Sequence, residues 1–370
     1  MTMLRERVTA SAIECLEARA FTVPTDAPEQ DGTIAWEATT LVLVRVECDG
    51  VVGIGYTYTE PQAAAVAEAK LAPVVCGMDA LSVPAAWWAM QRALRNAGRP
   101  GLCAAALSAV DVALWDLKAR LLQLPLAHLL GPARERVPIY GSGGFTSYDD
   151  ERLSGQLSRW AAEGIGAVKI KVGSVPGDDL RRVEVARRAV GDGVELFVDA
   201  NGAYDRKQAL ALAERFVDLG VTWFEEPVSS DDLEGLRLLR DRVPAPIRIA
   251  AGEYGYDGRY FRRMLEAGAV DVLQADATRC MGVSGFLQAA GLAAAFDLPI
   301  SAHTAPSIHL HACTAVGSAL APLEWFHDHV RVESMLFEGA PRPAGGAIAV
   351  DPDRPGLGLE LREEAERHAV

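Results

Sequence analysis

From about residue 137 onward, short apolar runs alternate with Ala- and Arg-rich stretches of helical spacing. The runs are VPIYGSGG, AVKIKVG, VELFVDANG, VTWFEEP, IRIAAGE, VDVLQAD, LPISAHT and PLEWFHDH. This alternation predicts parallel strands joined by crossover helices, and eight runs are enough to close a (β/α) barrel. The first third has a different rhythm. TTLVLVRVECDGVVGIGYTY, residues 39 to 58, holds two β-rich runs about an Asp-Gly turn, a hairpin signal. LCAAALSAVDVALWDLKARLL carries the apolar spacing of an amphipathic helix. Pro and Gly in LPLAHLLGPARERVP set a boundary near residue 130. The last forty residues, rich in Gly and Pro, read as loops and short strands returning to the first domain. The expected fold is α/β, with an α+β cap over residues 1–130, a barrel over 131–330 and a C-terminal segment over 331–370.

Composition narrows the function. The chain has 370 residues, half of them apolar, and a formal charge of −14, which argues against nucleic acid or an anionic membrane surface as the main partner. Cys15, Cys48, Cys76, Cys103, Cys280 and Cys313 form no C-x-x-C pair and read as buried small hydrophobes in a reducing compartment. The start, MTMLRERVTASAIECLEARAF, has no apolar run long enough for a signal peptide, and no segment approaches a membrane span. A cytoplasmic location is the expectation.

The apolar runs carry misplaced charges. Lys169 and Lys171 sit two apart in GIGAVKIKVG, so on a strand both ammonium groups face the same way and need compensation. Nearly every later run ends in an ionisable residue: Asp199, Glu225, Glu253, Asp276 and His303, spaced 23 to 28 residues apart. Singly these read as ordinary features. Asp199 before Ala-Asn-Gly suits a turn, Glu225 and Glu226 suit a helix start, and Asp276 suits an N-cap. A lone His303 is usually structural, and the lysines would suit an edge strand. Their joint register favours another reading, because C-terminal strand ends converge on one mouth of a barrel. Asp199, Glu225 and Glu253 then form an oxygen site for a hard cation such as Mg²⁺. Three negative charges, two from the ion and two lysines leave a net positive pocket for an anionic substrate.

With these residues in place, the chain resembles the enolase superfamily, and within it the mandelate racemase subgroup. The resemblance rests on VDAN, WFEEP and AAGE for metal ligands Asp199, Glu225 and Glu253, on the Lys-x-Lys of Lys169 and Lys171, and on the pair Asp276 and His303. It implies a modified (β/α)7β barrel whose cap is completed by the tail. It also implies Lys171 as acid/base on one face of the substrate, Lys169 as a carboxylate holder, and His303, paired with Asp276, on the other face. Glu324 in LEWFHDH matches a glutamate that donates a hydrogen bond to the substrate carboxylate, one residue out of register. Asn201 and Ser142 are candidate substrate contacts. Mg²⁺ is the implied cofactor, a small carboxylate the implied partner, and a homo-oligomer the implied assembly.

Chemistry follows from charge. Removing a proton α to a carboxylate leaves a dianionic ene-diolate, which a divalent cation stabilises. A cationic neighbour and the metal are expected to lower the pKa of Lys171 so that it can act as a base. The expected reaction is β-elimination of water from an acid sugar, giving a 2-keto-3-deoxy acid. Racemisation or epimerisation by Lys171 and His303 is the alternative, and a non-catalytic metal- or sugar-acid-binding barrel a third. GSGGF lacks the Lys-Ser/Thr of a phosphate loop and reads as a tight turn. HLH (309 to 311) lies in a predicted helix, where i and i+2 do not share a face, and HDH (327 to 329) competes poorly with three carboxylates as a metal site. Specificity is expected from cap loops within residues 21 to 36 and 56 to 61.

Overall fold

The structure, a computed structural model, describes residues 11–370; the first ten, which belong to the amino-terminal stretch scanned for a signal peptide, lie outside it. Three antiparallel strands open the chain: β1 (Cys15–Gln30), β2 (Ala35–Cys48) and β3 (Val51–Tyr58). The β2–β3 hairpin turns at Asp49 and Gly50, with φ of 50° and 73°. Positive φ at both turn positions matches the right-handed strand twist, as the Asp-Gly pair predicts. Helix Leu102–Leu121 packs across β3, and Gly55 makes this possible. A Cβ there would lie 2.3 Å from Ala109 O, so any side chain would force helix and strand apart. Val42, Val44, Val46, Leu107, Val110 and Leu114 fill the core between them.

The cap loops are shorter than the ranges expected to hold them. Most of the segment expected as cap loop, residues 21 to 30, is strand β1, paired with β2 from Cys15↔Glu47 onward and irregular only between Pro24 and Glu29. Residues 56 to 58 belong to β3.

Eight parallel strands form the barrel: β4 (Arg136–Gly143), β5 (Ala167–Lys171), β6 (Glu195–Asp199), β7 (Val221–Glu225), β8 (Arg248–Ala251), β9 (Val272–Ala275), β10 (Ile300–Ala302) and β11 (Leu323–Phe326). Their order is β10-β9-β8-β7-β6-β5-β4-β11. Two backbone hydrogen bonds, Ala321 N to Ile300 O (2.9 Å) and Ile300 N to Ala319 O (3.2 Å), link β10 to the residues leading into β11 and all but close the ring. A helix separates each strand from the next, and helix His327–Leu336 leads out to the tail. GSGGF is less a turn than expected, since β4 runs through Gly143.

Inward positions alternate along each strand. Tyr140, Ala167, Phe197, Trp223, Ala250 and Val272 plug the lower barrel with a separate apolar cluster. The polar groups sit above this plug, at the C-terminal ends. The tail returns to the cap: Val370 N donates to Ala20 O at 3.0 Å and Arg19 pairs with Glu366 at 2.8 Å. All six cysteines are free thiols, but Cys15 is exposed and Cys76 half-buried, against the expectation that all are interior. No helix among the described residues is long and apolar enough to cross a membrane.

Candidate active site

Strand register answers why two lysines face the barrel interior. Lys171 lies opposite Asp199, and Asp199 opposite Glu225, so three neighbouring strands present charge in one row. Lys169, one inward position lower, stands level with Ser142 and Phe197. Glu253 follows β8 through Gly252 (φ 133°), where a Cβ would meet Gln274 O at 2.1 Å; only glycine brings this carboxylate to the mouth. Oxygens of Asp199, Glu225 and Glu253 lie within 4.8 Å of one another, all three residues buried.

The cations thread these carboxylates together. Lys169 Nζ donates to Glu225 Oε1 at 2.5 Å, pairs with Glu324 Oε1 at 2.8 Å and lies 3.6 Å from Asp199. Lys171 Nζ donates to Asp199 Oδ2 at 2.5 Å and Asn201 Oδ1 at 3.1 Å. His303 Nδ1 is 2.8 Å from Asp276 Oδ2 and its Nε2 is 2.9 Å from Glu253 Oε2. Asp276 is fixed in turn by the Thr278 N–H and hydroxyl, both at 2.7 Å. Lys171 and His303 line one cavity of about 230 Å³ with Asn201, Glu253, Arg279, Thr304 and His329.

Burial and neighbouring charge set the protonation states. Burial pulls the Lys169 ammonium down, but Glu225 and Glu324 push it well above its ordinary value. The Lys171 ammonium faces the same opposition. Burial again pulls it down, yet the Asp199 carboxylate in contact with it raises it overall. Burial also works against the His303 imidazolium, and Glu253 and Asp276 together push it up to about 10. Glu324 is desolvated, but Lys169, His303 and Lys171 hold it down to about 2. It accepts hydrogen bonds from Ser142 Oγ (2.6 Å) and Thr304 N (3.0 Å). Ser142 is fully buried beneath it and its hydroxyl is spent, whereas Asn201 does line the cavity.

The donor set fits magnesium. Three hard oxygen ligands close enough to share one ion suit Mg²⁺, which takes few carboxylates and fills its shell with water and substrate. Negative charge is also in excess: burial and Asp199 push Glu225 up to about 8 despite Lys169. Glu253 Oε2, although near His303, has no aligned hydrogen bond.

Two groups at the site, Glu226 and Arg279, were not singled out for a role in the sequence, and His329 was weighed only as part of the HDH stretch, as a zinc motif that could line the mouth. Glu226 is buried with φ 37°, its Oε1 has no partner, and burial with Glu253 nearby pushes its carboxyl well up. Arg279 lies between Glu253 (3.6 Å) and Asp276 (3.5 Å), with its guanidinium 5.2 Å above the Tyr254 ring. His329 lines the cavity, while its HDH partner His327 points to a separate group with Asp26 and Glu29. The His309 and His311 rings are turned to different partners, Ala277 N and Ala127 N, so they share no metal.

A capped α/β barrel with a carboxylate triad, a Lys-x-Lys strand and a His–Asp pair at its mouth defines an enolase-type enzyme. Comparison with known proteins agrees. Residues 16–131 match the mandelate racemase / muconate lactonizing enzyme N-terminal domain and residues 152–365 the enolase C-terminal domain-like family, so the chain belongs to this superfamily. It is 32% identical, over 97% of both chains, to D-galactarolactone cycloisomerase of Agrobacterium fabrum. It is 35% identical to L-talarate/galactarate dehydratase of Salmonella typhimurium, over 86% of this chain and 79% of that protein. A mandelate racemase/muconate lactonizing enzyme-like protein of Rubrobacter xylanophilus superposes with a TM-score of 0.95 at 55% identity, covering 97% of this chain and all of that one. Several solved relatives hold magnesium.

Proposed function

We propose that this enzyme removes the α-proton of a small sugar acid and eliminates its β-hydroxyl as water, leaving a 2-keto-3-deoxy acid. The observation that carries this reading is the pair Lys171 and His303 lining one cavity from strands on opposite sides of the barrel order, beside the carboxylate triad. Asp199, Glu225 and Glu253 would hold Mg²⁺, which when bound supplies positive charge to attract the substrate carboxylate and to offset the anions that keep Lys171 protonated. Lys169, anchored by Glu225 and Glu324, orients that carboxylate. Lys171 Nζ takes the α-proton. His303, whose Nδ1 is held by Asp276, gives its Nε2 proton to the departing hydroxyl, and the enol so formed becomes the keto acid.

The dehydratase among the relatives supports elimination for this chain. The same two groups also suffice for epimerisation, with Lys171 and His303 exchanging protons on opposite faces. The two separate in D₂O with Mg²⁺: elimination gives keto acid, and epimerisation gives α-deuteration with the carbon skeleton intact. For either chemistry, Lys171→Ala and His303→Asn are expected to lower kcat by about 10²- to 10⁴-fold. Chelation of the metal should abolish turnover and Mg²⁺ restore it. Full activity in both variants would sink the acid–base assignment.

A further inference from the structure

A second group of metal-ligating side chains lies outside the reaction site. Asp26 and Glu29, three apart on β1, would point to opposite faces of a regular strand. The break in pairing between Pro24 and Glu29 brings them together, and His327, the first residue of helix His327–Leu336, meets them. One ligand atom from each of the three lies within 4.8 Å of the other two. His327 Nε2 is 3.2 Å from Asp26 Oδ2. We propose that Asp26, Glu29 and His327 form a second metal site, which takes a borderline divalent ion such as Zn²⁺ and clamps the cap strand to the barrel.

Glu29 carries the argument. Clustered acids alone need no ion, but this one is fully buried, its Oε1 has no hydrogen-bonding partner, and among the described residues it makes no ion pair. Its Oε2 accepts from Trp36 Nε1 at 2.9 Å. A buried carboxylate without a cation is costly. The nearby cations are committed elsewhere. Arg331 is held by Asp328 Oδ1 at 2.8 Å and by the Pro24 carbonyl. Arg152 sits 4.3 Å above the Tyr148 ring and donates to Asp26 Oδ1 at 3.1 Å. Asp328 and Asp26 are thus each matched by one arginine, and Glu29 by none. Its closure is no bar to an ion, which sits between ligand atoms; the three residues of the magnesium triad are buried in the same way. Entry is past the other two ligands. The Asp26 and His327 side chains are 40% and 20% exposed and line a cavity of about 690 Å³.

Donor type separates this site from the triad. Three carboxylates suit Mg²⁺, whereas an imidazole with two carboxylates suits Zn²⁺, which takes three protein ligands and a water in its open sites. Position gives the consequence. The ligands come from a cap strand and a barrel helix, and Trp36, tied to Glu29, lines the reaction cavity. An ion here would steady that wall without touching substrate.

The test needs no turnover and does not depend on the reaction proposed above. Glu225→Gln removes a triad ligand, so in this background the second site is where Zn²⁺ should bind. Calorimetric titration with Zn²⁺ alone should show a single ion per chain. Adding His327→Leu or Glu29→Gln should weaken it by at least about 100-fold, since losing a ligand costs more than the roughly 10- to 100-fold lost with an outer partner. Co²⁺, a coloured stand-in for zinc, should give a visible absorption band that His327→Leu abolishes. Zn²⁺ should also raise the melting temperature of the background protein, and not of protein carrying His327→Leu. Absence of Zn²⁺ binding overturns the proposal. So does equal binding with and without His327 and Glu29, which would place the ion elsewhere. Should Glu225→Gln not fold, the same comparison in the parent at saturating Mg²⁺ decides, where removing His327 should cost one bound Zn²⁺.

Discussion

His303 is useful only in the orientation that Asp276 imposes. Asp276 Oδ1 is pinned by Thr278, leaving Oδ2 for the imidazole, so the carboxylate both aims Nε2 at the cavity and favours the charged ring. Asp276→Asn keeps the size and the Thr278 contacts but removes the charge. It is expected to lower kcat by about 10²-fold or more, as for other carboxylate-oriented histidines. It also removes one of the groups that raise the His303 pKa. Activity that needs the imidazolium is present below that pKa and lost above it, so the alkaline limb of kcat should move to lower pH. Mg²⁺ affinity, measured calorimetrically, should change little because Asp276 is no ligand. An unshifted alkaline limb would show that His303 does not depend on this partner. At this scale the sequence was informative where charge interrupts an apolar run, as at Lys169, Lys171 and Asp276. Glu226 was hidden by its neighbour, since only a left-handed backbone at φ 37° turns both members of the Glu-Glu pair inward. Arg279 reads as a surface residue until the loop after β9 folds it over Tyr254.

Between elements, the cap reaches the barrel mouth through one tight approach. Gly32, in the turn between β1 and β2, sits where a Cβ would lie 2.3 Å from Ala200 O and 2.6 Å from Val172 O, both backbone atoms just past the ends of β6 and β5. Neighbouring Asp31, Ile34 and Trp36 line the cavity. Gly32→Ala must lift this turn off the strand ends. Misplacement of about an ångström at a reacting site costs up to about 100-fold, so kcat/KM should fall by about 10- to 100-fold. The melting temperature should hardly change, because the turn carries little of the core. Steady-state kinetics beside a thermal melt checks both, and an unchanged kcat/KM would mean that the turn does not shape the cavity. The barrel was legible because each buried strand is a short apolar run with a polar residue at its end. β1 was not, since Pro24, Pro28 and several acidic residues interrupt any alternation. It is an edge strand held by its pairing with β2, and edge positions tolerate proline.

Across the whole molecule, cap and barrel are joined at a buried carboxyl. Glu333, 1% exposed on helix His327–Leu336, accepts from Tyr56 Oη of the cap at 2.6 Å and from Ser307 Oγ of helix Pro306–Ala315 at 2.5 Å. The same helix carries His329 in its first turn, so this joint fixes the cavity wall as well as the cap. Burial pushes Glu333 up to about 7, above the ordinary 4.5, with the three donors from Ser307 and Tyr56 only partly offsetting it. A carboxyl whose folded pKa is raised binds its proton more tightly in the native state. Its contribution is therefore fully present below about pH 4.5 and is lost as pH rises toward about 7, where the native state must bury a charge. Glu333→Gln removes this titration and keeps an acceptor for Tyr56. Its stability relative to the parent should rise between pH 5 and 7.5, by up to roughly 3 kcal/mol, and level off above that. Urea unfolding of both proteins at the two pH values measures the difference. Parallel pH dependence in parent and variant would mean that Glu333 stays ionised throughout and that the joint holds by charge-assisted hydrogen bonds alone.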